Sequence, residues 1–229
     1  MYMGLIVISV LFGVIGWLIS SRLKSKFATY SKVPLQTGMS GREVAARMLD
    51  FYNIHDVKIV QGEGMLTDHY NPQTKTVSLS PEVYNGRHVA SAAVAAHECG
   101  HAVQHTEAYA ALRMRSALVP VVQISASLQQ YLFMFGIVGI ASFNSPIILM
   151  IAIAAFGVTT LFSVITLPVE FDASKRALAW LDSSNVTHGQ EYTGAKDALT
   201  WAALTYVAAA LAALVQMLYL VMYFLGSRD

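Results

Sequence analysis

The chain has 229 residues, of which 55% are hydrophobic and only 13% charged, with a formal net charge of +1. A mean hydropathy of +0.50 is too apolar for an ordinary soluble domain and points to an integral membrane protein. The near-neutral charge gives no bulk pull toward nucleic acid, and a single cysteine, Cys99, excludes an internal disulfide.

Residues 3–19, MGLIVISVLFGVIGWLI, form an uncharged apolar run followed at once by Ser20-Ser-Arg-Leu-Lys-Ser-Lys. A secretory signal carries its positive charge before the apolar core, so the reversed order reads as an uncleaved anchor with its basic flank in the cytoplasm. Residues 27–116 hold the sizeable polar region. Ser40 with Glu43 three residues later reads as the capped start of a helix, with Val44, Met48 and Leu49 on its apolar face. Val57-Lys-Ile-Val-Gln alternates like a strand. Met65–Tyr70 and Lys75–Ser80 flank the turn signal Asn71-Pro-Gln-Thr, which predicts a hairpin. Such a hairpin would offer an edge onto which an extended substrate backbone can add.

The chemistry-bearing stretch is Ala93-Val-Ala-Ala-His-Glu-Cys-Gly-His-Ala-Val-Gln, an H-E-x-x-H pattern at His97, Glu98 and His101. The spacing predicts a helix starting near Asn85-Gly86 and running through Gln104, with the chain nearly helical on to Arg113–Arg115. Positions i and i+4 share a helix face, so both imidazoles can reach one ion, while Glu98 is offset enough to reach a water beside it. Two histidines leave room for a third protein ligand and an open position, the pattern of a catalytic zinc site. Cys99 points away from the His97/His101 face and reads as a small packed residue. His105 lies eight residues past His97, about 12 Å along the axis, too far for one ion to join all three; His88 is likewise refused a metal role. The longer motif that adds a third histidine needs Gly at 104 and His at 107, where this chain has Gln104 and Glu107.

Leu118–Phe143 reads as a second span, its Gln123, Ser127 and Gln130 on one stripe facing other helices, joined by Asn144-Ser145 to a third span, Pro146–Leu167. Pro168 is expected to end that span, with Val169–Leu181 following as a separate amphipathic helix. A polar patch at 182–194 leads to the last span, 199–225. Eleven of the 15 Lys and Arg fall between Arg22 and Arg115, three more between 170 and 199, and none in the joint between spans two and three. The positive-inside rule then puts both polar segments in the cytoplasm. A third ligand must share that side with His97. Glu170 is the first polar side chain after the third span, with Asp172, His188 and Glu191 as rivals.

Three stretches carry a family resemblance over nearly the whole chain: Ala96-His-Glu-Cys-Gly-His-Ala-Val-Gln-His, Leu167-Pro-Val-Glu-Phe-Asp-Ala-Ser-Lys-Arg-Ala and Ala202-Ala-Leu-Thr-Tyr-Val-Ala. The chain resembles the YugP-type membrane zinc metallopeptidases and, more distantly, the HtpX/Ste24 gluzincins. The resemblance implies a Zn2+ site made by His97, His101 and Glu170, with Glu98 as catalytic base. In HtpX-like enzymes an Asp four residues after the ligand Glu buttresses a metal-binding His; Ser174 stands there in this chain.

The expected architecture is an α-helical membrane protein with about four transmembrane helices and a small α+β zincin-like cytoplasmic domain. Its segments are an anchor (1–20), the zincin-like domain with the H-E-x-x-H helix (21–116), two spans (117–168), a cytoplasmic helix and loop with the third ligand (169–198) and a last span (199–229). The expected activity is hydrolysis of peptide bonds in membrane or membrane-proximal proteins, at the cytoplasmic face of a multi-pass plasma-membrane protein. Tyr192, His188 and His69 are the candidate oxyanion donors. The expected partners are a protein or peptide substrate, the lipid bilayer and further subunits or membrane proteins, with no nucleic acid. The alternative is a zinc-binding scaffold without turnover.

Overall fold

The computed structural model of the chain describes residues 2–137 and 146–226. Its helices are α1 (Tyr2–Tyr30), α2 (Gly41–Phe51), α3 (Pro81–Asn85), α4 (Val89–Thr106), α5 (Ala110–Ile137), α6 (Pro146–Ser183) and α7 (Gln190–Gly226). Three short strands, β1 (Lys58–Gln61), β2 (His69–Asn71) and β3 (Thr76–Leu79), lie between α2 and α3. Among the described residues three helices are long and apolar enough to cross a membrane: Met3–Tyr30, Ile147–Ser183 and Gln190–Gly226. The expected second span over 118–143 runs past the described residues, and its Asn144-Ser145 joint lies outside them.

The chain divides into two compact units. The first gathers Met1–Leu18, Met114–Leu167 and Thr205–Asp229, the apolar lengths of α1, α5, α6 and α7. Leu149, Ala152 and Leu220 are buried together there, while Val7, Leu11, Trp17, Ile124, Ile147 and Met222 stay exposed, side chains that hydrocarbon rather than water would solvate. The stripe Gln123, Ser127 and Gln130 was expected against other helices but is exposed. Gln129 makes that contact instead, its Nε2 donating to Ala155 O at 2.8 Å and to Thr159 Oγ1 at 3.1 Å. The side chain next in sequence thus faces a different neighbour, because successive helix positions diverge by about a quarter turn.

The second unit comprises Ile19–Arg113 and Pro168–Leu204. Its axis is α4, whose alanine-rich turns are buried nearly all round. Ser40 and Glu43 form the expected capping box at the start of α2, and Val44, Met48 and Leu49 turn inward against α4. The sheet order is β1-β3-β2, with β2 and β3 antiparallel through the predicted turn and β1 parallel to β3. Val77 and Leu79 of β3 are fully buried, which fixes that strand in the middle.

The break after α4 is brief, and one expectation about helix ends is overturned. Helix α4 stops at Thr106: Ala108 takes a left-handed φ of 54°, and α5 begins afresh at Ala110. Pro168 does not end the helix, since α6 runs through it from Pro146 to Ser183. Proline removes one backbone donor and crowds the preceding turn, but the residues after it carry a stripe at four-residue spacing. Val169, Ala173, Ala177 and Leu181 are all fully buried, so tertiary packing holds the helix where local preference alone would break it.

Candidate metal centre

His97 and His101 sit one turn apart on α4, their rings 4.8 Å between centroids and nearly perpendicular. Facing them on α6 is Glu170, which lies well inside that helix rather than at a helix start as the sequence suggested. Gly100, between the two histidines, has no side chain to hold α4 away from the backbone of Ala173 on α6. This close approach carries the carboxylate to the imidazoles. Glu170 Oε2 stands 3.3 Å from His97 Nε2 and 3.6 Å from His101 Nε2, and the three candidate ligand atoms all lie within 4.8 Å of one another. Metal bonds of about 2.0–2.1 Å at tetrahedral angles put ligand atoms about 3.3 Å apart, so two nitrogens and a carboxylate oxygen at these separations fit zinc.

The electrostatics agree. Burial works against charge on His101, but hydrogen bonding to Glu170 and the negative charges of Glu98 and Glu170 outweigh it and hold its pKa above the ordinary value. The cluster therefore stabilises positive charge at this point. Glu98 is itself buried beside it, at 8% exposure. Of the three candidate ligands, His97 keeps the most open face, with 12% of its side chain exposed against 8% for His101 and 3% for Glu170.

Behind the cluster each imidazole is held at its far nitrogen. Ser174 Oγ lies 3.1 Å from His97 Nδ1, so the serine that replaces the expected aspartate does reach the histidine. His101 Nδ1 lies 3.0 Å from Gln104 Oε1. The sequence reading used Gln104 only to rule out a longer motif, although its place three residues after His101 on one helix face was the available signal.

The rival ligands are occupied elsewhere. Asp172 Oδ2 accepts from Gln104 Nε2 at 2.8 Å and from Arg176 Nε at 2.6 Å. Glu191 accepts from the backbone N–H of Gln36 at 2.7 Å and of His188 at 3.2 Å, and His188 is exposed. His105 Nδ1 meets the hydroxyl of Tyr70 at 2.7 Å. The Tyr70 pKa is pushed up to about 12 by burial and by the charge of Asp56. His88 caps α4, its Nδ1 accepting from Ser91 N–H at 3.1 Å. Cys99 is fully buried, with its Sγ 3.6 Å from Ala45 O, and burial pushes its thiol pKa well up.

Comparison with known proteins agrees with this geometry. The chain is 42% identical over 208 residues, 91% of each chain, to a protein of Bacillus subtilis (strain 168) named "Putative membrane protease YugP". No solved structure matches it. Residues 5–225 match the family described as "Putative neutral zinc metallopeptidase", and the chain belongs to that family.

Proposed function

We propose that the chain is a membrane-embedded zinc metalloendopeptidase in which His97, His101 and Glu170 hold the metal and Glu98 is the general base. The observation that carries this reading is the meeting of two imidazole nitrogens and one buried carboxylate, with a second carboxylate next in sequence to the first histidine. When bound, zinc supplies Lewis acidity, lowering the pKa of water toward about 7 and polarising the scissile carbonyl. Glu98 takes the proton from the attacking water and hands it to the departing amine. Of the three candidate oxyanion donors, Tyr192 is the one that shares a cavity wall with Ser174, the residue behind His97. That cavity, of about 390 Å³, is also lined by Phe171, whereas His188 and His69 are exposed. Strand β2, at one margin of the sheet and in contact with α4, is the edge that takes up an extended substrate segment.

The reading includes four membrane spans, with α5 as the second, and the metal centre on the cytoplasmic side. Substrates are then membrane proteins or their cytoplasmic segments. Glu98→Gln tests the chemistry. The amide is nearly isosteric with the carboxylate but cannot take a proton from water, so zinc content and folding should persist while turnover falls by about 10²–10⁴-fold. Near wild-type cleavage by a zinc-loaded Glu98→Gln protein would overturn the mechanism and leave a zinc-binding scaffold.

A further inference from the structure

Gln104 is fully buried, and every polar atom of its amide is engaged. Its Nε2 donates to Val169 O at 2.8 Å and to Asp172 Oδ2 at 2.8 Å, both on α6. A backbone carbonyl has no proton to give, and the Asp172 oxygen at this contact also accepts from Arg176 Nε at 2.6 Å, so it meets Gln104 as an acceptor. Turning the amide over would set its oxygen against two acceptors at that distance. The amide therefore has one orientation, with Oε1 toward His101 Nδ1 at 3.0 Å.

An amide oxygen only accepts, so the proton between them belongs to His101 Nδ1. In the neutral ring the lone pair then sits on Nε2, the atom that faces Glu170. His97 has no such constraint, because the Ser174 hydroxyl at its Nδ1 can either donate or accept. The lock extends further: Arg176 also donates from its terminal nitrogen to Glu107 Oε2 at 2.6 Å, at the C-cap of α4. Gln104 of α4 and the helix's C-cap Glu107 are thus joined to α6 through Asp172 and Arg176.

We infer that Gln104 is a positioning residue that presets His101 as an Nε2 metal ligand by fixing its tautomer, with the Asp172–Arg176–Glu107 chain keeping the amide from turning. The inference rests on the proposed zinc site, but the proton on His101 Nδ1 is a property of the metal-free chain.

The test uses the full-length chain in detergent, with two variants and two readouts. Gln104→Met keeps an unbranched side chain of similar length and removes the acceptor. The double substitution Gln104→Glu with Asp172→Asn keeps an acceptor at His101 Nδ1 while sacrificing the donations to α6, so both variants lose thermal stability. Nitrogen-15 spectra of the histidine rings in metal-free protein at mildly alkaline pH, with His101→Ala to identify the signal, should show the proton on Nδ1 of His101 in the wild type and in the double variant. In Gln104→Met that signature should be lost. Zinc affinity, measured by competition with a chromophoric chelator, should weaken about 10–100-fold in Gln104→Met and stay near wild type in the double variant. A wild-type His101 protonated on Nε2 instead, or a double variant that loses zinc affinity as much as Gln104→Met, would overturn the inference. If Gln104→Met does not fold, the double variant and the wild-type spectrum still decide it. A wild type with the Nδ1 signature but no zinc affinity would sink the peptidase reading and leave this one standing.

Discussion

A Cβ placed on Gly100 would stand 2.6 Å from the carbonyl oxygen of Ala173 and 3.1 Å from its Cα. Both are backbone atoms of α6, so no side-chain rotation can relieve the clash. Gly100→Ala must push α4 and α6 apart at the level of the candidate metal ligands. The overpacking should cost about 1–3 kcal/mol of stability, and zinc affinity should fall although no ligand has changed. Unaltered zinc affinity in a folded Gly100→Ala protein would show that the ligands do not depend on this contact.

The proposed ligand set makes a sharp division among the histidines. His97→Ala, His101→Ala and Glu170→Ala should each strip purified protein of its zinc, measured as metal per chain. His88→Ala and His105→Ala should retain it, since those rings serve a helix cap and a contact with Tyr70. Zinc retained in Glu170→Ala would move the third ligand to another residue.

His88 adds a pH dependence of its own. Its Nδ1 accepts the Ser91 N–H, which only the unprotonated nitrogen can do. Burial lowers its pKa below the ordinary value, against a smaller opposing pull from Glu82. The unfolded chain therefore binds this proton more readily than the folded one. The stabilisation is fully present above the unfolded pKa of about 6.5 and is lost as the pH falls through the lower folded value. Asparagine is a good N-cap that does not titrate. His88→Asn should match the wild type in melting temperature at pH 8 and fall less steeply on acidification; identical slopes would exclude the effect.

Orientation can be read by chemical labelling. Gln73 is exposed on the unit that carries the metal centre, and Asn144 lies in the joint expected on the opposite face. In intact cells a cysteine at 73 should resist an impermeant thiol reagent, while one at 144 should react. The reverse pattern would put the metal centre outside.

Local signals made much of the second unit, with its candidate metal centre, legible in the sequence. The Ser40–Glu43 capping box, the turn at Asn71 and the His97/His101 spacing are each set by residues a few positions apart, and each appears where expected. Glu170 is legible from chain order, as the first acidic group after the third apolar run. What escaped was decided by packing over long separations. Pro168 looked like a terminus because its cost is local, whereas the burial of Val169, Ala173, Ala177 and Leu181 that sustains α6 is not. Gln104 looked like a mere mismatch to a longer motif because its partners, Val169 and Asp172, are more than sixty residues away. The parallel pairing of β1 with β3 likewise joins strands with β2 between them in sequence, which no turn signal encodes.

The burial of Cys99 has a practical consequence for all such experiments. Its sulfur is sealed between α4 and α2, and its thiol resists ionisation at neutral pH, so it offers almost no thiolate to a water-borne reagent. It is also the only cysteine in the chain. The native protein is thereby a silent background for thiol chemistry. A reporter cysteine can be introduced at any surface position without first mutating a residue inside the metal-binding helix, and wild-type protein serves as the blank.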